Sequence, residues 1–246
     1  MKQLLLLACV IVAFSSKAQK SGKIIYDEVT KMEINFPEGM ALPEGFEMPS
    51  ENVVTRALYF SESESIYKNV PQEPIVNKIK SEGFHLEIKN DIPEDEYYKN
   101  LSNGTKTEKR DFLDRTFLMK GDLKDFKWKI SPDQEKVLDY VVQKATTTMD
   151  TLEIIAWFAP QIQISNGPDK YGKLPGMILK LEIPELNRVI TAKEVSFEEV
   201  KEEIVAPKKG KKISEEEFEK IRVEKLAEMR AQYGGKGGVF IQTIEN

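Results

Sequence analysis

A mainly β fold follows from three features of this chain: a curved antiparallel sheet or open half-barrel with a C-terminal helix, an α+β arrangement. Apolar and polar residues alternate with period two in segment after segment, the pattern of strands with one wet face. No strand–helix alternation runs through the sequence, which argues against a doubly wound nucleotide-binding fold. One segment near the C-terminus carries the helical period instead, apolar on one side and charged on the other.

The elements follow in order. Met1 to Ala18 reads as a signal peptide: Lys2, an apolar run from Leu4 to Phe14, then Ser16-Lys17-Ala18 before cleavage between Ala18 and Gln19. That run is about half the roughly 20 residues a spanning helix needs. Leu6-Leu7-Ala8-Cys9 has the outline of a lipobox, but Cys9 sits inside the apolar run with Val10 to Phe14 still to come, so simple cleavage is the reading. Removing these 18 of 246 residues leaves 228, and the loss of Lys2 and Lys17 takes the net charge from −5 to −7. The expected location is the periplasm or the outer-membrane surface. The only cysteine leaves with the signal, so disulfides, cysteine nucleophiles and zinc–thiolate sites are excluded.

Residues 19–206 form the expected β domain. Its strand-like segments are Lys23–Val29, Val53–Phe60, Ser65–Val70, Phe84–Lys89, Phe117–Lys120, Met177–Ile183 and Val195–Glu198. Pro37 to Ser50, with its prolines and glycines, reads as an exposed loop, and Asp91 to Glu96 as a solvated acidic turn. Residues 207–246 change character. Pro207 to Lys212 is a basic linker, and Ser214-x-x-Glu217 is a capping box at a helix start. Phe218, Ile221, Leu226, Met229 and Tyr233 fall on one side of that helix, to be covered by the chain's own sheet or by a partner. Gly234-Gly235 ends it, and Val239 to Ile244 has a strand-like pattern suited to a sheet edge.

Asn166 to Leu179 holds three glycines and two prolines between apolar runs, with Leu174-Pro175-Gly176-Met177 reading as a type II turn. Trp157-Phe158-Ala159-Pro160, Ile162, Ile164, Asn166-Gly167-Pro168 and Gly172-Lys173-Leu174-Pro175-Gly176-Met177-Ile178-Leu179 together resemble the block that names the GLPGLI family of Bacteroidota envelope proteins. Upstream, Trp128-Lys129-Ile130, Tyr140 and Lys144-Ala145 resemble the family's preceding block. Pro207, Gly210-Lys211, Ile213-Ser214 and Phe218 resemble its C-terminal segment. Lys173 and Met177 depart from the naming motif. The family has no assigned activity, so the resemblance implies a secreted envelope protein and no reaction.

Catalytic constellations are missing from the sequence. His85 is the sole histidine and lies in an alternating strand, so no paired-histidine metal motif exists, and there is no G-x-S-x-G. No P-loop, dinucleotide fingerprint or EF-hand spacing occurs. Gly234 to Gly238 is glycine-rich but follows a helix instead of opening one, so it presents no helix N-terminus to phosphate. Asp91, Glu94, Asp95 and Glu96 are the candidate calcium oxygens, with solvated charge as the ordinary reading. The acidic balance argues against nucleic acid as a partner. We therefore expect no metal, no cofactor and no transmembrane segment in the mature chain. Trp157, Phe158, Tyr171, Leu174, Pro175 and Gly176 are the candidate contacts for an apolar ligand or a partner such as an outer-membrane protein. The expected role is a non-enzymatic binding or carrier module. An assembly factor working through the helix, or a carboxylate-based hydrolase, is the alternative.

Overall fold

The computed structural model describes residues 20–31, 51–72, 75–81, 84–90 and 92–233. The signal segment, the loop Pro37–Ser50, Asp91 and the tail from Gly234 lie outside the described residues, as do the side chains of His85 and Tyr233. The strands are β1 (Ser21–Lys31), β2 (Glu51–Ser61), β3 (Glu64–Asn69), β4 (Ile75–Ser81), β5 (Phe84–Asn90), β6 (Glu96–Asn100) and β7 (Thr105–Phe112). They continue with β8 (Arg115–Asp122), β9 (Lys129–Val137), β10 (Tyr140–Met149), β11 (Leu152–Ala159), β12 (Met177–Ile183), β13 (Arg188–Ser196) and β14 (Lys211–Lys212), before helix α1 (Glu215–Tyr233). No helix among the described residues is long and apolar enough to cross a membrane.

Twelve strands form one open sheet in the order β14-β8-β7-β6-β3-β2-β1-β13-β12-β11-β10-β9, and β4 pairs with β5 as a separate hairpin. Every neighbouring pair in the large sheet is antiparallel except β14 on β8, where Lys211 faces Phe117 and Lys212 faces Leu118. Part of the segment expected as a basic linker is thus an edge strand. Gly210 makes this approach possible, since a Cβ there would meet the Phe117 carbonyl carbon at 2.9 Å.

Register fixes which side chains share the buried face. Tyr26 of β1 faces Arg56 of β2, Leu58 faces Tyr67 of β3, Tyr67 faces Tyr97 of β6, and Tyr97 faces Glu108 of β7. Along β1 alternate residues are buried, as period-two patterning requires. The face divides in two. From β1 through β11 it is apolar, with Ile24, Tyr26, Ile190, Leu181, Ala156 and Ile154 fully buried. From β2 through β7 it turns polar toward one end of the strands, where Arg56, Glu108 and Arg110 lie.

Residues 160–176 connect β11 to β12 without regular structure, yet Ile162, Ile164, Asn166, Asp169, Tyr171 and Leu174 are all buried. This plug lies across the sheet's inner face. Lys99 of β6 donates from Nζ to the carbonyls of Gly167 (2.7 Å) and Tyr171 (2.9 Å). Trp128 Nε1 donates to Gly172 O at 2.9 Å, and Phe126 stacks on Tyr171 with centroids 5.3 Å apart. β12 pairs with β13 only from Lys180 onward, so Ile178 O is free to accept the Tyr26 hydroxyl at 2.7 Å.

The expected type II turn is not formed. Leu174 O accepts from Gly176 N at 2.8 Å, a tighter three-residue turn around Pro175, while Met177 N donates to Ile162 O instead. Gly176 has φ +156°, and a Cβ on it would lie 2.3 Å from Ala159 O. Close backbone approach, more than turn type, requires glycine here.

The capping box closes as its spacing requires: Glu217 N donates to Ser214 Oγ at 3.1 Å and Ser214 N to Glu217 Oε2 at 3.0 Å. Phe218 sits edge-on to Phe112 (6.0 Å) and Phe117 (5.4 Å), and Glu215 pairs with Lys106. The first turns of α1 are therefore docked beside the plug on the β7–β8 edge.

Candidate functional site

An ionic cluster occupies the polar end of the inner face. It draws on six strands and the plug: Glu28 (β1), Arg56 (β2), Tyr67 (β3), Glu96 and Tyr97 (β6), Glu108 and Arg110 (β7) and Arg188 (β13), with Asp95 and the plug's Asp169 closing it. Glu28 accepts Tyr67 Oη at 2.6 Å and Arg188 Nη2 at 3.0 Å, and Arg56 Nε stands 3.5 Å away. Burial pushes the Glu28 carboxyl up, but Arg188, Arg56 and the Tyr67 hydroxyl outweigh it and hold it below the usual carboxylate range. Arg110 bridges Glu108 (2.7 Å) and Asp95 (3.1 Å), and Asp95 also accepts the Asp111 backbone N–H at 2.9 Å. Asp95, expected in a solvated turn, is thus buried and bonded.

Asp169 differs from the other members. It is the plug's only acidic side chain, is 6% exposed, and holds a left-handed backbone at φ 49°. Its carboxylate makes no hydrogen bond or ion pair among the described residues. Burial raises its pKa, yet Arg110, Lys170, Arg188 and Arg56 act through space and bring it to about 2. Tyr97 Oη, also buried, has no protein partner. These groups surround a cavity of about 20 Å³. A wider recess of about 380 Å³ adjoins it, walled by Lys68, Asn69, Pro71, Gln72, Ile92 and Glu94.

The aromatic candidates separate. Phe158, Tyr171 and Leu174 are each 1% exposed and lie together in the core. Gly176 is buried and Pro175 exposed at the turn. Trp157 points to the opposite face from Phe158, where its Nε1 donates to Glu182 at 2.9 Å between the ammonium groups of Lys144 (5.8 Å) and Lys180 (5.7 Å). On α1, Phe218 is packed, and Ile221, Leu226 and Met229 are half-buried. No group of three or more His, Cys, Asp or Glu side chains poised to hold a metal occurs among the described residues.

Sequence reasoning passed over the ionic cluster. Two signals for it were present. Glu28 continues the inward series Ile24, Tyr26, and Lys106, Glu108 and Arg110 share one face of a strand by period two.

Residues 146–180 match the model of a family described as a protein of unknown function (Porph_ging). No curated protein matches the chain. Structures of PNGF-II in the C2 and P21 space groups resemble it in fold, each with a TM-score of 0.52 and 14% identity over 82% of this chain. The chain spans about a third of those proteins, 32% and 33% of their lengths. The family match falls on the end of β10, β11, the plug and the start of β12, so over these elements the chain is similar to a family to which no function is attached.

Proposed function

We propose that this chain is a secreted, non-enzymatic binding module of the cell envelope that engages a partner protein through α1. The observation that carries this reading is how α1 is held. Glu215 and Phe218, in its first turns, tie it to the sheet. From Val223 onward no hydrogen bond, ion pair or ring contact joins it to the sheet among the described residues; Leu226 and Met229 are half-buried there, and Val223, on another side of the helix, is 54% exposed. A helix of this length is marginal alone in water, so a face projecting beyond its anchor is suited to a second surface. An apolar cargo is disfavoured because the apolar half of the inner face is filled by Phe158, Tyr171 and Leu174.

The test is a photo-crosslinking side chain at Val223 in the full chain, expressed in a native host, with exposed Lys193 as the control position. A discrete adduct to one protein at 223 and not at 193 is expected. Equal labelling at both positions, or none at 223, overturns the proposal.

A further inference from the structure

Asp169 and Tyr97 pose a question that does not involve α1. Each is more than nine-tenths buried and lines the ionic cavity; Tyr97 Oη is a buried hydroxyl with no hydrogen-bond partner, and no hydrogen bond or ion pair among the described residues reaches the Asp169 carboxylate. Buried polar groups in folded proteins are satisfied in the great majority of cases, by protein or by ordered water. Of the groups around them, Arg56 Nε is likewise buried with no hydrogen-bond partner, 3.5 Å from Glu28. Glu28 is shared by Arg188, Arg56 and Tyr67, and Arg110 is held by Glu108 and Asp95.

The size and charge of the cavity decide what it accepts. At about 20 Å³ it exceeds the roughly 10–15 Å³ that one water needs, and falls well short of any organic ligand. An anion would sit against the carboxylates of Glu28, Asp95, Glu96, Glu108 and Asp169. A cation would sit against the guanidinium groups of Arg56, Arg110 and Arg188. A neutral guest that both donates and accepts is opposed by neither set. It donates to the Asp169 carboxylate and exchanges a bond with Tyr97 Oη, and its remaining lone pair faces the arginines. We propose that this cavity is a binding site for one ordered water, which links the plug's acidic side chain to β6 and to the arginines of the sheet.

The sign of one substitution separates a wet cavity from a dry one. Without water, Tyr97 Oη is a buried hydroxyl with no partner, and Tyr97→Phe removes a penalty while keeping the ring. With water, the same change removes a hydrogen bond and leaves the guest under-coordinated. The expected result is a thermal midpoint lower by about 2–4 °C, the shift that about 1 kcal/mol produces in a chain of this size. A midpoint unchanged or raised overturns the proposal. A crystal structure of the full chain, at a resolution that orders solvent, gives an independent reading. A water about 2.6–3.2 Å from both Asp169 and Tyr97 Oη supports the site. A dry cavity, an anomalous bromide peak after soaking, or Asp169 turned into direct contact with a guanidinium rejects it.

Discussion

Raising the pH from 7 to 9 is expected to stabilise this protein, and Lys99→Met is expected to flatten that rise. Lys99 is fully buried, with no carboxylate in contact, and burial lowers its pKa from 10.5 to about 7, against a smaller opposing pull from Asp169. The unfolded chain keeps the proton up to about 10.5, so between about 7 and 10.5 it binds more protons than the native state. Stability therefore increases with pH across that window, and the penalty is fully present below it. At ~1.4 kcal/mol per pH unit the whole interval caps the effect at about 5 kcal/mol. The charge-assisted bonds to Gly167 O and Tyr171 O reduce it. Between pH 7 and 9 a gain of about 1–2 kcal/mol in the unfolding free energy is expected from this lysine. Lys170, also lowered by burial, acts in the same direction, so the variant is needed to isolate Lys99. The window stops at 9 because Tyr26, Tyr67, Tyr97 and Tyr171, all raised by burial, act in the opposite direction from about pH 10 upward. Urea unfolding at pH 7, 8 and 9 is the assay. Lys99→Met loses two bonds and falls in absolute stability, but only the slope matters. Parallel stability–pH curves for the two proteins would refute the reasoning.

Two further substitutions test the packing. Gly176→Val places a side chain 2.3 Å from Ala159 O at φ +156°, and backbone strain plus overpacking are expected to cost about 2–5 kcal/mol, a midpoint about 5–15 °C lower by calorimetry. Arg188→Met leaves Glu28 with Arg56 at 3.5 Å as its only cation, and a buried charge so weakened is expected to cost about 3–5 kcal/mol in denaturant titrations; pairing it with Glu28→Gln should recover part of that loss.

The sheet was legible because a half-buried strand writes its pattern locally. Lys23–Val29 and Met177–Ile183 alternate, and both are strands. β7 was not legible: Thr105-Lys106-Thr107-Glu108-Lys109-Arg110 has no apolar face, because its inward positions meet ions and not hydrocarbon. β9 escaped for another reason. It is an edge strand with Pro132 and mostly exposed positions, where no burial pattern is imposed. The Ser214–Glu217 cap was legible because capping is a contact between residues three apart. The ionic cluster joins residues up to 160 positions apart, as Glu28 and Arg188 are, and only the sheet order brings them together. The turn at Pro175 was read wrongly in type, since Pro-Gly marks a turn but the partner of Met177 N lies at Ile162, outside the local window.

The recognisable motif and the proposed role sit in different places, and the glycines explain why. A Cβ on Gly167 would meet Ile178 at 2.8 Å, and one on Gly176 would meet the Ala159 backbone. These positions are glycine so that the plug can lie flat against its own strands. Asp169 and Lys173 hold left-handed backbones at φ 49° and 65°, costs that only a tightly determined surrounding sustains. The motif is therefore a packing code for one segment. The ions beneath it add little net stability, because desolvation offsets most of their attraction. What they supply is register: shifting the plug by one residue would bury Asp169 away from its three arginines and leave Lys99 facing the wrong carbonyls. A signature that specifies register says which fold is made and nothing about what the fold touches. The partner recognition proposed for α1 rests instead on turns beyond its anchor, outside the segment that this register holds.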